Sequence, residues 1–161
     1  MTVRKLQKYN NMDPLDRSGR EAAIREILGK AGENCVVEQP LFCTYGYNTK
    51  VGDNFFMNVY GKLMDSGKIT IGNNVFIAPN VSIITEEHAM DAVQRAQGLE
   101  YTHPVTIGDN VWICTGAIVL PGVTIGDNSV IGEGSVVTKD IPPNSLAVGN
   151  PCRVIRTLEQ E

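Results

Sequence analysis

The sequence predicts an all-β solenoid, a parallel β-helix of short strands, and two observations carry that prediction. From residue 105 the text runs VTIGDN VWICTG AIVLPG VTIGDN SVIGEG SVVTKD, with Ile107, Ile113, Val119, Ile125, Ile131 and Val137 each six residues apart. Leu, Ile and Val make up roughly a quarter of the chain, so six aliphatics in one register would arise by chance about once in four thousand trials. Two positions ahead of each stands a second recurring slot, small or β-branched throughout: Val105, Val111, Ala117, Val123, Ser129 and Ser135. A six-residue period suits neither an amphipathic helix nor a simple hairpin; it suits a coil in which each hexad is one strand and one turn, and three hexads close a circuit. The aliphatics then point inward and stack on their equivalents, while Gly, Asn and Asp at the turns (IGDN, IGNN, IGEG) accept left-handed backbone.

The elements follow in order. Residues 1–34 read as a helical segment: in EAAIREILGK (21–30) Ala23, Ile24, Ile27 and Leu28 share a face, Asp16 or Ser18 is placed to cap it, and Gly29 to stop it. Residues 35–157 read as the solenoid domain. Its first half keeps the beat with slips, Val51, Met57 and Leu63 forming one run and Ile71, Ile77 and Ile83 a second run displaced by two around MDSGKI. The beat stops at 84–104, a stretch that holds both of the chain's histidines, and resumes at Ile107. A solenoid accepts an insertion only as an excursion from a turn, and such loops carry function. Pro142–Pro143 end the hexads; a short strand and a terminal helix are expected to close that end, as the helix closes the other, leaving 158–161 as a tail.

Composition narrows the function. With 161 residues the chain makes one domain, and a formal charge of −4 with no basic stripe argues against nucleic acid. No apolar run reaches the roughly 20 residues that cross a bilayer, and the N-terminus has no secretory h-region, so a cytoplasmic protein is expected. Cys35, Cys43, Cys114 and Cys152 show no C-x-x-C spacing and read as reduced, packed thiols.

The segments YGYN (45–48), NFFMN (54–58), IGNNVFIAPNV (71–81), IGDNVWI (107–113), PGVTIGDNSVIGEGSVVTKDIPPN (121–144) and GNPCRVIR (149–156) together resemble the hexapeptide acyltransferases. The match is closest to the maltose/galactoside O-acetyltransferase branch, and it spans about residues 20–157. The resemblance implies a left-handed β-helix, which spacing alone does not reveal, assembled as a homotrimer with sites between subunits. It implies acetyl transfer from acetyl-CoA to a hydroxyl of a sugar or similar small acceptor, without a metal and without a covalent enzyme intermediate. In that branch a loop histidine, in T-x-x-H-P followed by an Arg, deprotonates the acceptor; TEEHAMDAVQR places His88 there, with Arg95 at the later basic position and Ala89 for the proline, a change expected to loosen the loop. An imidazole with a reference pKa of about 6.5 suits removal of a hydroxyl proton during attack on a thioester. Glu100 matches the carboxylate that supports the histidine. By the same resemblance the Thr115 amide is an oxyanion donor, Asn58 lines the reacting centre, and Trp112 projects outward against coenzyme A or a neighbouring subunit. Thr138, Lys139, Arg153 and Arg156, with Ala78 and Glu133, lie along the coenzyme. Thr44, Asp65 and Ser66 fall at acceptor positions.

Two departures bear on the acceptor. Typical members begin with some two dozen further residues that cap the site, and galactoside-type members often carry two acids where this chain has Asp65–Ser66. The rival base is His103, which precedes Pro104. Rival functions are a non-catalytic β-helix scaffold, supported by the short N-terminus and Ala89, and acetyl transfer to serine or to an antibiotic. A γ-type carbonic anhydrase needs three zinc-binding histidines, a set that two histidines per chain do not supply.

Overall fold

The computed structural model describes residues 2–159. Thirty to 148 wind into a three-faced solenoid of parallel strands. Face one stacks Lys30–Ala31, Thr49–Val51, Ile69–Ile71, Val105–Ile107 and Thr124–Ile125. Face two stacks Val36–Val37, Phe56–Met57, Phe76–Ile77, Trp112–Ile113, Val130–Ile131 and Ser145–Val148; face three stacks Leu41–Cys43, Gly61–Met64, Ser82–Ile84, Ile118–Val119 and Val136–Val137. The parallel β-helix expected from the hexads is therefore the fold. Every beat residue from Val51 to Val137 is 3 % exposed or less, and so is the small slot, with Ser129 and Ser135 fully buried among the aliphatics.

The slips have a geometric cause. Val51 pairs with Ile71, twenty residues on, whereas Ile107 pairs with Ile125, eighteen on. The two extra residues of each early coil sit at the corner between faces three and one, at Thr44–Asn48 and Met64–Lys68. In the third coil the same corner opens into the 84–104 excursion, so Ile71 pairs with Ile107, thirty-six residues on.

At the corner between faces one and two the coils are locked by a side-chain ladder. Asn34, Asn54, Asn74, Asn110, Asn128 and Asn144 all take φ between 53° and 59°. The first five side-chain amides each donate to the next Asn Oδ1 at 2.9–3.0 Å. Asn tolerates this left-handed conformation better than other residues bearing a Cβ, and its side chain both donates and accepts, which a stacked ladder requires. The glycine two residues earlier allows close stacking: a Cβ on Gly72 would lie 2.2 Å from the Asp109 carboxylate.

The N-terminal end is closed by two helices rather than one, Thr2–Asn10 and Arg17–Ile27. Asp16 caps the second, accepting from the Gly19 amide at 2.9 Å. Ile24, Ile27 and Leu28 are buried, and Ala23 packs at their margin. Tyr9 Oη donates to the Val37 carbonyl at 2.5 Å, and Arg20 donates to the same carbonyl and to Glu38. Helix ends at Ile27, and the first strand starts at Lys30, five residues before the expected boundary at 35. Gly29 is required by close approach, since a Cβ there would meet the Tyr47 carbonyl oxygen at 2.1 Å. At the other end the expected terminal helix is replaced, among the described residues, by a strand, Arg153–Thr157, antiparallel to Ser145–Val148. Val154, Ile155 and Thr157 are β-branched and favour an extended chain beside an open strand edge. Leu158 extends this pairing by donating to Asn144 at 2.7 Å; residues 160–161 of the expected tail, and Met1, lie outside the described residues.

Candidate active site

The excursion at 84–104 is a hairpin. Glu86–His88 runs antiparallel to Glu100–Thr102, with Glu86 opposite Thr102, Glu87 opposite Tyr101 and His88 opposite Glu100. The tip is a short helix, Ala92–Ala96, capped by Asp91, whose carboxylate accepts from the Val93 and Gln94 amides. Arg95 turns back to donate to the carbonyls of Ala89 and Met90, both at 3.0 Å. The loosening expected of Ala89 is not what the structure shows. Ala89 is buried, and its amide donates to the Leu99 carbonyl at 3.3 Å, a bond that a proline cannot make.

Side chains alternate between the two faces of a strand, so the hairpin has a face toward the preceding coils and a face toward the following one. The first carries Glu86, His88, Glu100 and Thr102. Glu86 reaches down to the corner, accepting from Thr44 Oγ1 at 3.4 Å, the Ser66 amide at 3.4 Å and Thr85 Oγ1 at 3.1 Å. Further out on the same face, His88 Nε2 stands 3.5 Å from Glu100 Oε1, with both side chains more than half exposed. The second face carries Glu87 and Tyr101, and His103 Nε2 lies 3.4 Å from Glu87 Oε1. The Cβ of His103 stands beside Gly122, at the corner of the following coil.

Beneath the first face a cavity of about 350 Å³ is lined by Asn48, Ser66, Gly67, Lys68, Thr102 and Pro104. Asp65 precedes Ser66 of that lining, and its backbone carbonyl accepts from Asn48 Nδ2 at 2.9 Å. It is fully buried; Oδ1 accepts from the Tyr45 and Gly46 amides at 2.8 and 3.0 Å, and Oδ2 from Thr49 Oγ1 at 3.1 Å. The carboxylate holds the expanded corner and presents no surface outward, whereas Thr44 and Ser66 are half-buried at its rim. A larger groove, about 630 Å³, lies between Arg17–Ile27 and face two, remote from either histidine.

The residues expected along the coenzyme fall elsewhere. Asn58 and Ala78 are in register at the corner between faces two and three, the Asn58 amide donating to Ile77 and the Ala78 amide to Ile113. Thr115 and Glu133 continue this edge, linked by the bonds from the Gly116 amide to Pro79 and from the Gly134 amide to Thr115. Thr115 is exposed, and its amide makes no hydrogen bond among the described residues. Asn58 Oδ1 accepts from the Val59 amide at 2.8 Å. Burial, with the Glu133 carboxylate beside it, pushes the Cys114 thiol up to about 11. Trp112 faces outward on face two, between Phe76 and Val130. Thr138 and Lys139 are exposed at the corner that carries the hairpin two coils earlier, and Arg153 and Arg156 are exposed on the closing strand. One chain thus gathers His88, Glu100, Thr44 and Ser66 at one edge, and Asn58, Ala78, Thr115 and Glu133 at another.

Comparison with known proteins decides the family. The family model described as bacterial transferase hexapeptide (six repeats) matches residues 104–139. The galactoside O-acetyltransferase of Escherichia coli K12 is 47 % identical over 153 residues, covering 95 % of this chain and 75 % of that protein. A maltose O-acetyltransferase from Clostridium difficile 630 has a crystal structure with TM-score 0.97 and 52 % identity, covering 99 % of this chain and 85 % of that one. The chain belongs to the hexapeptide-repeat acetyltransferases, in the maltose and galactoside O-acetyltransferase branch. A third member, a hexapeptide-repeat acetyltransferase from Vibrio cholerae, was solved with acetyl coenzyme A; it is 35 % identical with TM-score 0.94, over 99 % of this chain and 86 % of that one. This chain is an O-acetyltransferase.

Sequence reading missed Glu86, Lys68 and the Glu87–His103 pair. The signal for the pair was present as alternation in TEEH and EYTH, but each strand is only three residues long, too short for a period of two to stand out.

Proposed function

We propose that the protein transfers acetyl from acetyl-CoA to a hydroxyl of a sugar, with His88 as the general base, in the cytoplasm. The observation that carries the reading is the placement of His88 opposite Glu100, on the hairpin face that overhangs Thr44, Ser66 and the polar cavity. Relatives named for galactoside and maltose acetylation, and one solved with acetyl coenzyme A, support the substrate classes.

Glu100 holds the proton on Nε2 and leaves the Nδ1 lone pair for the acceptor. As the acceptor oxygen bonds to the thioester carbonyl carbon, its proton passes to Nδ1, and the imidazolium is stabilised by the Glu100 carboxylate. The carbonyl oxygen gathers negative charge and accepts from the Thr115 amide, which is exposed and makes no hydrogen bond among the described residues. Collapse breaks the C–S bond, coenzyme A takes the proton, and the ester is released without an acyl-enzyme. Thr44 and Ser66 meet the acceptor, while Asp65 holds the corner under them. Asn58, Ala78, Trp112, Glu133, Thr138, Lys139, Arg153 and Arg156 serve the coenzyme, the cationic groups opposite its phosphates.

Because the base and the oxyanion donor lie on different edges of one solenoid, the reading requires a second chain, and a homotrimer supplies it. His88→Ala is expected to lower kcat by about 10²- to 10⁴-fold on a panel of galactosides and glucosides while coenzyme A still binds. Full activity in that variant sinks the assignment.

A further inference from the structure

We propose that Glu87 and His103 form a clamp on the far face of the hairpin that positions His88 for proton transfer. The inference rests on the reading of His88 as base. Glu87 is joined to His88 by one peptide unit, so the direction of one side chain fixes the direction of the other, on opposite faces. His103 is anchored twice. Its amide donates to the Thr85 carbonyl at 2.8 Å, at the root of the same hairpin, and two residues later Val105 is fully buried in the solenoid. The imidazole thus extends from a fixed point, and its Nε2 stands 3.4 Å from Glu87 Oε1.

The pair ties the strand that carries the base to the place where the chain re-enters the solenoid. The ladder it braces holds three residue pairs, and its outermost pair is His88 with Glu100. The clamp's own side chains are about half exposed, 54 % and 44 %, so the contact contributes little to folding. Its effect is on geometry. A misplacement of about 1 Å lowers a rate by about a hundredfold, and a hairpin released on one face tilts its base by a fraction of that.

The experiment compares Glu87→Ala, His103→Ala, their double variant and the charge-swapped pair Glu87→Lys with His103→Glu, each with and without His88→Ala. Measured quantities are kcat, KM for acetyl-CoA, and coenzyme A affinity. Each single change is expected to lower kcat about tenfold with KM for acetyl-CoA unmoved. The double variant should be no slower than either single one, because groups acting through one contact are non-additive. The swapped pair should recover kcat to within about threefold of wild type, and in the His88→Ala background none of the changes should matter further. Wild-type rates in both single variants, additive losses, or no recovery on swapping would overturn the clamp while leaving His88 as base. A loss on His103→Ala that equals the full general-base effect, with His88→Ala active, would overturn the clamp and the base assignment together.

Discussion

Asp65 has no exposed surface and three hydrogen bonds, so its substitutions separate holding a corner from touching an acceptor. Asp65→Ala leaves the Tyr45 and Gly46 amides without an acceptor inside the corner and is expected to cost about 2–4 kcal/mol, since each buried orphaned donor costs about 1–3 kcal/mol. Asp65→Asn keeps Oδ1 for both amides, and the Thr49 hydroxyl can turn to accept from the new amide, so a loss of about 1 kcal/mol or less is expected. Urea denaturation reads both values. Equal and small stability changes with a large rise in acceptor KM would mean that the carboxylate touches substrate instead. The cysteines give a second residue-scale expectation. Burial raises the Cys43 thiol to about 12, with Asp65 adding to the shift, and raises Cys35 to about 11. A group whose folded pKa is raised keeps its proton in the folded chain after the unfolded chain has lost it. The stability tied to these thiols is therefore intact below the ordinary thiol value of 9.0 and is lost progressively as pH climbs from there through about 11 to about 12. Urea midpoints should be flat from pH 7 to 8.5 in this respect and fall beyond 9.5, and iodoacetamide should label the native chain at pH 8 far more slowly than the unfolded one. Rapid native labelling of Cys43 would contradict the burial.

The asparagine ladder is an element-scale device, because each rung joins two coils. Asn110 donates to Asn128, accepts from Asn74, and sits at φ 58°. Asn110→Ala removes two bonds and forces a Cβ-bearing residue without side-chain help into left-handed backbone, for a loss of about 2–3 kcal/mol. Asn110→Gly removes the same bonds but keeps the backbone at ease, and should lose about 1 kcal/mol less. Identical losses would show that the backbone conformation contributes nothing. The hexads announced this corner and the inward column, because a period of six over six repeats leaves little room for another fold. They did not announce the hairpin. His88 and Glu100 are twelve residues apart, joined through a two-stranded ladder too short to read by alternation, and their pairing is legible in the sequence only through resemblance. The slip of two at MDSGKI was visible, but that it marks one corner shared by Thr44, Ser66 and the hairpin depends on how coils stack, which spacing alone does not state. Ala89 was misjudged because the loss of a proline was visible and the Leu99 carbonyl across the ladder was not.

At the scale of the whole molecule, face two carries an outward apolar stripe among the described residues. Val36, Phe56, Phe76, Trp112, Val130 and Leu146 lie side by side in register, all pointing outward. Phe76 and Trp112 are about half exposed, and the rings of Phe56 and Phe76 are 6.0 Å apart. A continuous apolar stripe of this kind marks an interface. Each strand of the stripe runs directly into the edge that holds Asn58, Ala78 and Thr115, so a second chain covering the stripe would be delivered to the edge proposed for the coenzyme. The proposed base, His88, stands on the other edge of its own solenoid, and a contact that buried the stripe would be the one able to bring a hairpin to the edge of Thr115. Assembly and catalysis should then fail together. Phe76→Glu and Trp112→Glu are expected to convert the proposed homotrimer to a monomer by size-exclusion chromatography with light scattering, to keep the β-rich circular dichroism of the solenoid, and to lower acetyl transfer by at least a hundredfold, although Phe76 touches neither acceptor nor coenzyme in the proposed mechanism. A monomeric Phe76→Glu protein with undiminished kcat would show that one chain completes the site alone, and the Thr115 amide would have to yield its oxyanion role to a donor on the hairpin edge.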